Sequence, residues 1–339
     1  MNKIVFFDLE GPLSPQDNAL EVMGLVENGQ RAFAVISRYD DLLALEGREE
    51  YEPGDTLKLI LPFLLVHGIR AEDIAAVSKG APLIAGAREL VASLVGDGWR
   101  AQIISTSYEQ HALRIARELG IPERDVACTR LDLDGLTRRL RPSDLGFVRE
   151  AWDYVLRIGE GLSLEEIADG AVDGRIRPRL DEFYWETMPH TALGEALRGV
   201  EVVGGRRKVG ALERFCHGLG VYLSQVAVVG DSITDFQMLN AVEAAGGLSI
   251  VFNGNRYALP YGTVGVASVS LLNLLPVLRT WVSNGREALR KAVQRADLTP
   301  QEGDAAYHWL VNCPDLAKVV GVHSAARKRA RGEGAGSLG

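Results

Sequence analysis

The residues "KIVFFDLEGPLS", numbers 3 to 14, decide how the rest of the chain is read. Ile4, Val5, Phe6 and Phe7 form an unbroken apolar run that stops at Asp8, with Glu10 two residues on and Gly11-Pro12 behind. A short run without alternation is the pattern of a strand covered on both faces, as in a parallel sheet. Paired carboxylates at the tip of such a strand have two readings. Either they are solvated, or something cationic lies between them.

Further apolar runs share this character: "AQIIS" (101–105), "VAC" (126–128), "QVAVVGD" (225–231), "LSIVFN" (248–253) and "VGVAS" (264–268). Helical patterns lie between them and close on glycine, as in "EQHALRIARELGIP", "KVGALERFCHGLG" and "TDFQMLNAVEAAGG". Strand and helix in alternation predict an α/β fold, a doubly wound parallel sheet. The core is expected from residues 1–14, 81–130 and 201–268. Residues 15–80 predict a helical cap and 131–200 a second, mostly helical insertion. Residues 269–325 read as C-terminal helices, and 326–339, "ARKRARGEGAGSLG", as a disordered basic tail.

Bulk composition narrows the function. The 339 residues are 47% hydrophobic and 24% charged, with a net charge of −8, which speaks against nucleic acid or an anionic membrane as the main partner. Cys128, Cys216 and Cys313 are isolated, so neither a disulfide framework nor a zinc site is expected. With no signal-peptide pattern and no apolar stretch of membrane-spanning length, the expectation is a cytoplasmic protein. A homo-oligomer is compatible with the sequence.

The opening design recurs in "QVAVVGDSITDFQML", where a strand ends at Gly230, Asp231 follows at once and Asp235 comes one helical turn later. "IISTS" places Ser105 and Thr106 at another strand end, and Lys208 stands at the mouth of a helix in "GGRRKVGALE". Ionised Asp8, Asp231 and Asp235 carry −3, which one Mg²⁺ together with Lys208 would cancel. Such a site accepts a phosphoryl group, with Asp8 as nucleophile and Ser105 and Lys208 stabilising the transferred oxygens. Glu10 is the candidate acid and base. Taken singly, the same residues read as a solvated strand tip, a turn and a helix cap. Thr106 or Ser107 is an alternative to Ser105, and Arg206 and Arg207 compete with Lys208. His111, His190, His217 and Cys216 read as surface or core residues, and Arg38 and Arg48 as solvated.

"FFDLEGPLS", "IISTS", Lys208 in "RRKVGALE" and "VVGDSITD" resemble, in order and spacing, the motifs of the haloacid dehalogenase-like superfamily of phosphohydrolases. The likeness is greatest to the phosphoserine phosphatase-type branch, and covers roughly residues 1–14, 82–140 and 205–268. The resemblance implies Asp8 as nucleophile and metal ligand, and Glu10 as acid/base and, through its backbone carbonyl, metal ligand. It also implies phosphate binding by Ser105 and Lys208, and Mg²⁺ binding by Asp231 with Asp235 supporting or joining. Glu10 and Gly11-Pro12 depart from the usual Asp and Gly-Thr, but "DLEG" also resembles the phosphoserine–homoserine phosphotransferases. The expected function is thus a Mg²⁺-dependent phosphatase of a small phosphorylated metabolite. Transfer to a small alcohol, or a low-activity accessory subunit, is the alternative. The accessory reading draws on a looser likeness to uncharacterised members of the superfamily found beside energy-converting hydrogenases.

Overall fold

A computed structural model describes residues 2–332. Its centre is a seven-stranded sheet, ordered β3-β2-β1-β4-β5-β6-β7. The strands are β1 (Ile4–Phe7), β2 (Arg100–Tyr108), β3 (Val126–Thr129), β4 (Ala227–Gly230), β5 (Leu248–Phe252), β6 (Val264–Ser268) and β7 (Ala305–Trp309). All pairings are parallel except β6 with β7. Strand periodicity of two sends alternate side chains to opposite faces. Val5 and Phe7 enter one apolar cluster and Ile4 and Phe6 another, so β1 is buried on both sides. This is why its sequence shows no polar alternation.

The chain winds from β1 to β2 and β3 on one side, then returns to β4 on the other side of β1. Strand order therefore reverses between β1 and β4, the place where open α/β sheets leave a crevice beyond their carboxyl ends.

The segments 15–80 and 131–200 are helical and share one apolar core. Val35, Tyr39, Phe63 and Leu64 from the first pack in the same cluster as Trp152, Val155, Phe183 and Tyr184 from the second. Phe63 lies 5.4 Å from Trp152 and stacks on Phe183 at 5.8 Å. Arg38, expected to be solvated, is a strut between the two segments, with Nε donating to Asp173 Oδ1 at 2.7 Å and Nη2 to Oδ2 at 2.6 Å. Arg48 lies over the Trp185 ring at 4.1 Å.

Two expectations for the C-terminal third need correction. Residues 269–325 are not wholly helical, because Ala305–Trp309 adds the antiparallel edge strand β7. This strand is half-buried along its whole length and carries His308, so it shows neither a continuous apolar run nor a clean alternation. Residues 326–331 are not a disordered tail either. They complete the helix Leu316–Arg331, with Ala326 and Arg327 buried. A basic run looks solvated in sequence, but here it meets buried acids. The rest of the expected tail, 333–339, lies outside the described residues. No described helix is long and apolar enough to cross a membrane.

Candidate active site

Register places the acids. Phe7 pairs with Val229 across β1 and β4, and the Asp8 backbone N–H donates to Val229 O at 2.8 Å. Asp8 thus leaves the sheet beside Gly230, and Asp231 follows at the same edge. One carboxylate oxygen from each of Asp8, Asp231 and Asp235 lies within 4.8 Å of the others. All three residues are at most 3% exposed, so their negative charges face one another with almost no water to screen them. Burial first, and Asp235 second, push the Asp8 carboxyl well above the ordinary range, with Lys208 pulling it back.

Lys208 sits in the first turn of the helix Arg206–Leu219 and has no exposed surface. Its Nζ donates to Asp8 Oδ1 and to Asp235 Oδ1, each at 2.7 Å. Burial alone would depress this ammonium, yet Asp235 and Asp8 hold it above its usual value, so it stays charged. Its neighbours in "RRK" have other tasks: Arg206 binds Glu52 and Arg207 binds Asp55, both in the first inserted segment. Asp235 uses its second oxygen on the turn itself, accepting from the backbone N–H of Asp231 at 2.9 Å and of Ser232 at 3.1 Å. Both its oxygens are therefore engaged. Its position within ligand range is matched by the work of fixing Lys208 and the Asp231 turn.

Glu10 faces the inserted helices. Its Oε1 accepts from Ser107 Oγ at 2.5 Å and from the Asn18 N–H at 3.1 Å. Burial, followed by the charge of Asp17, raises the Glu10 carboxyl to about 7. Ser105 is fully buried and its Oγ accepts from the Ser107 N–H at 3.1 Å. Thr106 Oγ1 is buried with no hydrogen-bond partner. A cavity of about 80 Å³ lies over these groups, bounded by Asp8, Glu10 and Thr106 below and by Asp40, Asp41 and Thr56 above. Thr106 lines it, whereas Ser105 stands behind the wall.

Two residues on the cavity wall were missed in the sequence: Arg327 and Arg331. Arg327 forms an ion pair with Asp231 Oδ2, and Arg331 Nη1 donates to the same oxygen at 3.2 Å. They lie four residues apart on one helix face, a spacing visible in "RKRAR" but unremarkable in a segment read as a solvated end. With Lys208 they set three cations against Asp8, Asp231 and Asp235, while Arg331 and Arg327 also face the Asp17 carboxylate on the same cavity wall.

The donor set nevertheless fits a divalent cation. Asp231 Oδ1 is buried with no hydrogen-bond partner, and hard carboxylate oxygens are what Mg²⁺ prefers. Gly11 keeps the approach open. It sits at φ +105°, and a Cβ there would overlap the Asp231 carboxylate. Gly11→Ala is therefore expected to move that carboxylate. A structure of the variant with the Asp231 side chain unmoved would refute this placement.

Neither family models nor curated protein sequences match the chain. Among solved structures it is similar to gene product AF1437 from Archaeoglobus fulgidus, at 29% identity and a TM-score of 0.82, over 100% of this chain and 99% of that one. It is also similar to a phospho-aspartyl intermediate analogue of phosphoserine phosphatase, at 16% identity and a TM-score of 0.50, over 81% of this chain and 97% of that one. At that identity the second likeness bears on the fold. With its mostly parallel seven-stranded sheet and surrounding helices, the chain has a haloacid dehalogenase-like α/β fold.

Proposed function

We propose that this protein is a Mg²⁺-dependent phosphatase that hydrolyses a small phosphomonoester through an aspartyl-phosphate on Asp8. The observation that carries the reading is the convergence of Asp8, Asp231 and Asp235 on one another with Lys208 bonded to two of them.

Asp8 and Asp231 would hold the cation, which supplies charge neutralisation for an incoming phosphoryl group. Lys208 fixes one oxygen of Asp8 and leaves the other to attack phosphorus in line. Its ammonium and the unpartnered Thr106 hydroxyl would stabilise the equatorial oxygens as charge builds. Glu10, bounding the same cavity, gives its proton to the departing oxygen and later takes one from the water that cleaves the aspartyl-phosphate. The cavity's small size favours a small substrate.

A panel of amino-acid, sugar and nucleotide monophosphates tests the reading. Phosphate should be released from at least one member with Mg²⁺ and not with excess chelator. Activity on none of them, or equal activity without divalent cation, would contradict it.

The pH dependence is also expected. The first chemical step needs Glu10 as an acid, and its carboxyl is raised to about 7 by burial and Asp17. The acid form therefore dominates below pH 7 and is lost above it. With a substrate whose leaving group is a poor alkoxide, kcat/KM should fall about tenfold per unit as pH rises beyond that value. Glu10→Gln should be slower by roughly 10²–10⁴-fold and lack this limb. An unchanged alkaline limb in Glu10→Gln would remove Glu10 from the role.

A further inference from the structure

The helix Leu316–Arg331 reaches the acids from the far end of the chain, and its last two turns are held differently from its start. Upstream it is anchored to the sheet: His323 is fully buried, its Nδ1 accepting from the Gly254 N–H at 3.2 Å and its Nε2 lying 3.3 Å from His308 Nδ1 on β7. Downstream the donors are cationic side chains. Arg327 holds Asp231 Oδ2 and also reaches the Asp231 carbonyl at 3.4 Å. Arg331 donates to Asp231 Oδ2, and its Nε donates to Pro15 O at 3.1 Å, where the chain enters the first inserted segment. Lys328 Nζ donates to Glu165 Oε1 at 2.7 Å in the second inserted segment. One helix end thus ties the Asp231 carboxylate to both inserted segments.

We propose that Arg327 and Arg331 are a built-in counter-ion for Asp231 that competes with a divalent cation, so that cation loading loosens the last turns of the C-terminal helix. The inference rests on the reading of Asp231 as a metal ligand. The physical reason is direct. The two guanidiniums bring +2 to the carboxylate, the same charge as the ion, and like charges a few ångströms apart in a buried site repel strongly. They hold Oδ2, and an ion on the unpartnered Oδ1 of the same carboxylate would lie against both guanidiniums, so the two compete for Asp231. Undocking also breaks the Arg331 bond to Pro15 and strains the Lys328 bond to Glu165, which loosens the roof over the cavity. The apparent affinity for the ion is reduced by the fraction of molecules already undocked. A helix docked in about 90–99% of molecules weakens binding by roughly 10–100-fold.

Calorimetric titration of MgCl₂ into the full chain and into Arg327→Gln/Arg331→Gln tests this. The double variant should bind Mg²⁺ at least ~10-fold more tightly than wild type. In the wild type, amides over 324–331 should exchange with deuterium faster in MgCl₂ than in NaCl of equal ionic strength. The exchange arm needs no variant and decides the matter if the double variant fails to fold. Equal or weaker Mg²⁺ binding by the variant, or unchanged exchange in the wild type, overturns the proposal while leaving the metal reading intact, provided Asp231→Asn abolishes binding. Arginines that serve the substrate instead would raise KM at unaltered Mg²⁺ affinity, and this also overturns it. If neither protein binds Mg²⁺, the metal reading fails and the proposal falls with it.

Discussion

Asp8→Asn is expected to lower phosphate release by at least about 10³-fold, with binding of substrate and overall stability little changed. The amide has nearly the same shape as the carboxylate but is a far poorer nucleophile, and covalent catalysis depends on that one atom. The site explains why the loss should be clean. Asp8 is buried among Asp231, Asp235 and Lys208, and burial already pushes its carboxyl upward, so removing one negative charge relieves repulsion at the strand tips. The folded protein should therefore tolerate the change. A variant that melts at the wild-type temperature but has lost turnover is the expected outcome, measured by thermal denaturation alongside phosphate release.

Lys208→Met should behave in the opposite way, losing both turnover and stability. Its ammonium is the shared partner of Asp8 and Asp235 at 2.7 Å each and has no exposed surface. Taking away one partner of a buried ionic network leaves carboxylates uncompensated, which typically costs about 3–5 kcal/mol. The melting temperature should fall by roughly 10 °C. Arg206→Met, two residues away on a different helix face and mostly exposed, is the control: it should lose little, since partly solvated ion pairs contribute little. Equal melting temperatures for wild type and Lys208→Met would show that the ammonium is not holding the acids together.

How much of this was visible in the sequence depends on how local the cause is. β1 and β4 were legible because both faces of each strand are covered, so "IVFF" and "AVVG" contain no polar residue. The acids at their tips were legible only in combination, because each alone reads equally well as a solvated strand tip, a turn or a helix cap. Lys208 could be separated from Arg206 and Arg207 only by spacing, and the structure sends those two arginines to Glu52 and Asp55 instead. β7 was hidden because an antiparallel edge strand with intermediate exposure at every position has no distinctive pattern. The common core of residues 15–80 and 131–200 was hidden because contacts such as Phe63 with Trp152 join positions far apart in the chain. Arg327 and Arg331 were the most consequential omission. Charge-rich termini are usually solvated, and nothing local in "ARKRARG" shows that two of its side chains are buried against Asp231.

The central claim is that Asp8 itself becomes phosphorylated. Rapid acid quench during turnover of the best substrate from the panel, followed by peptide mass analysis, tests it most directly. The expected result is one phosphoryl group on the peptide carrying Asp8 in the wild type and none in Asp8→Asn. Phosphate release that continues at the wild-type rate in Asp8→Asn, with no phosphorylated peptide in either protein, would contradict it.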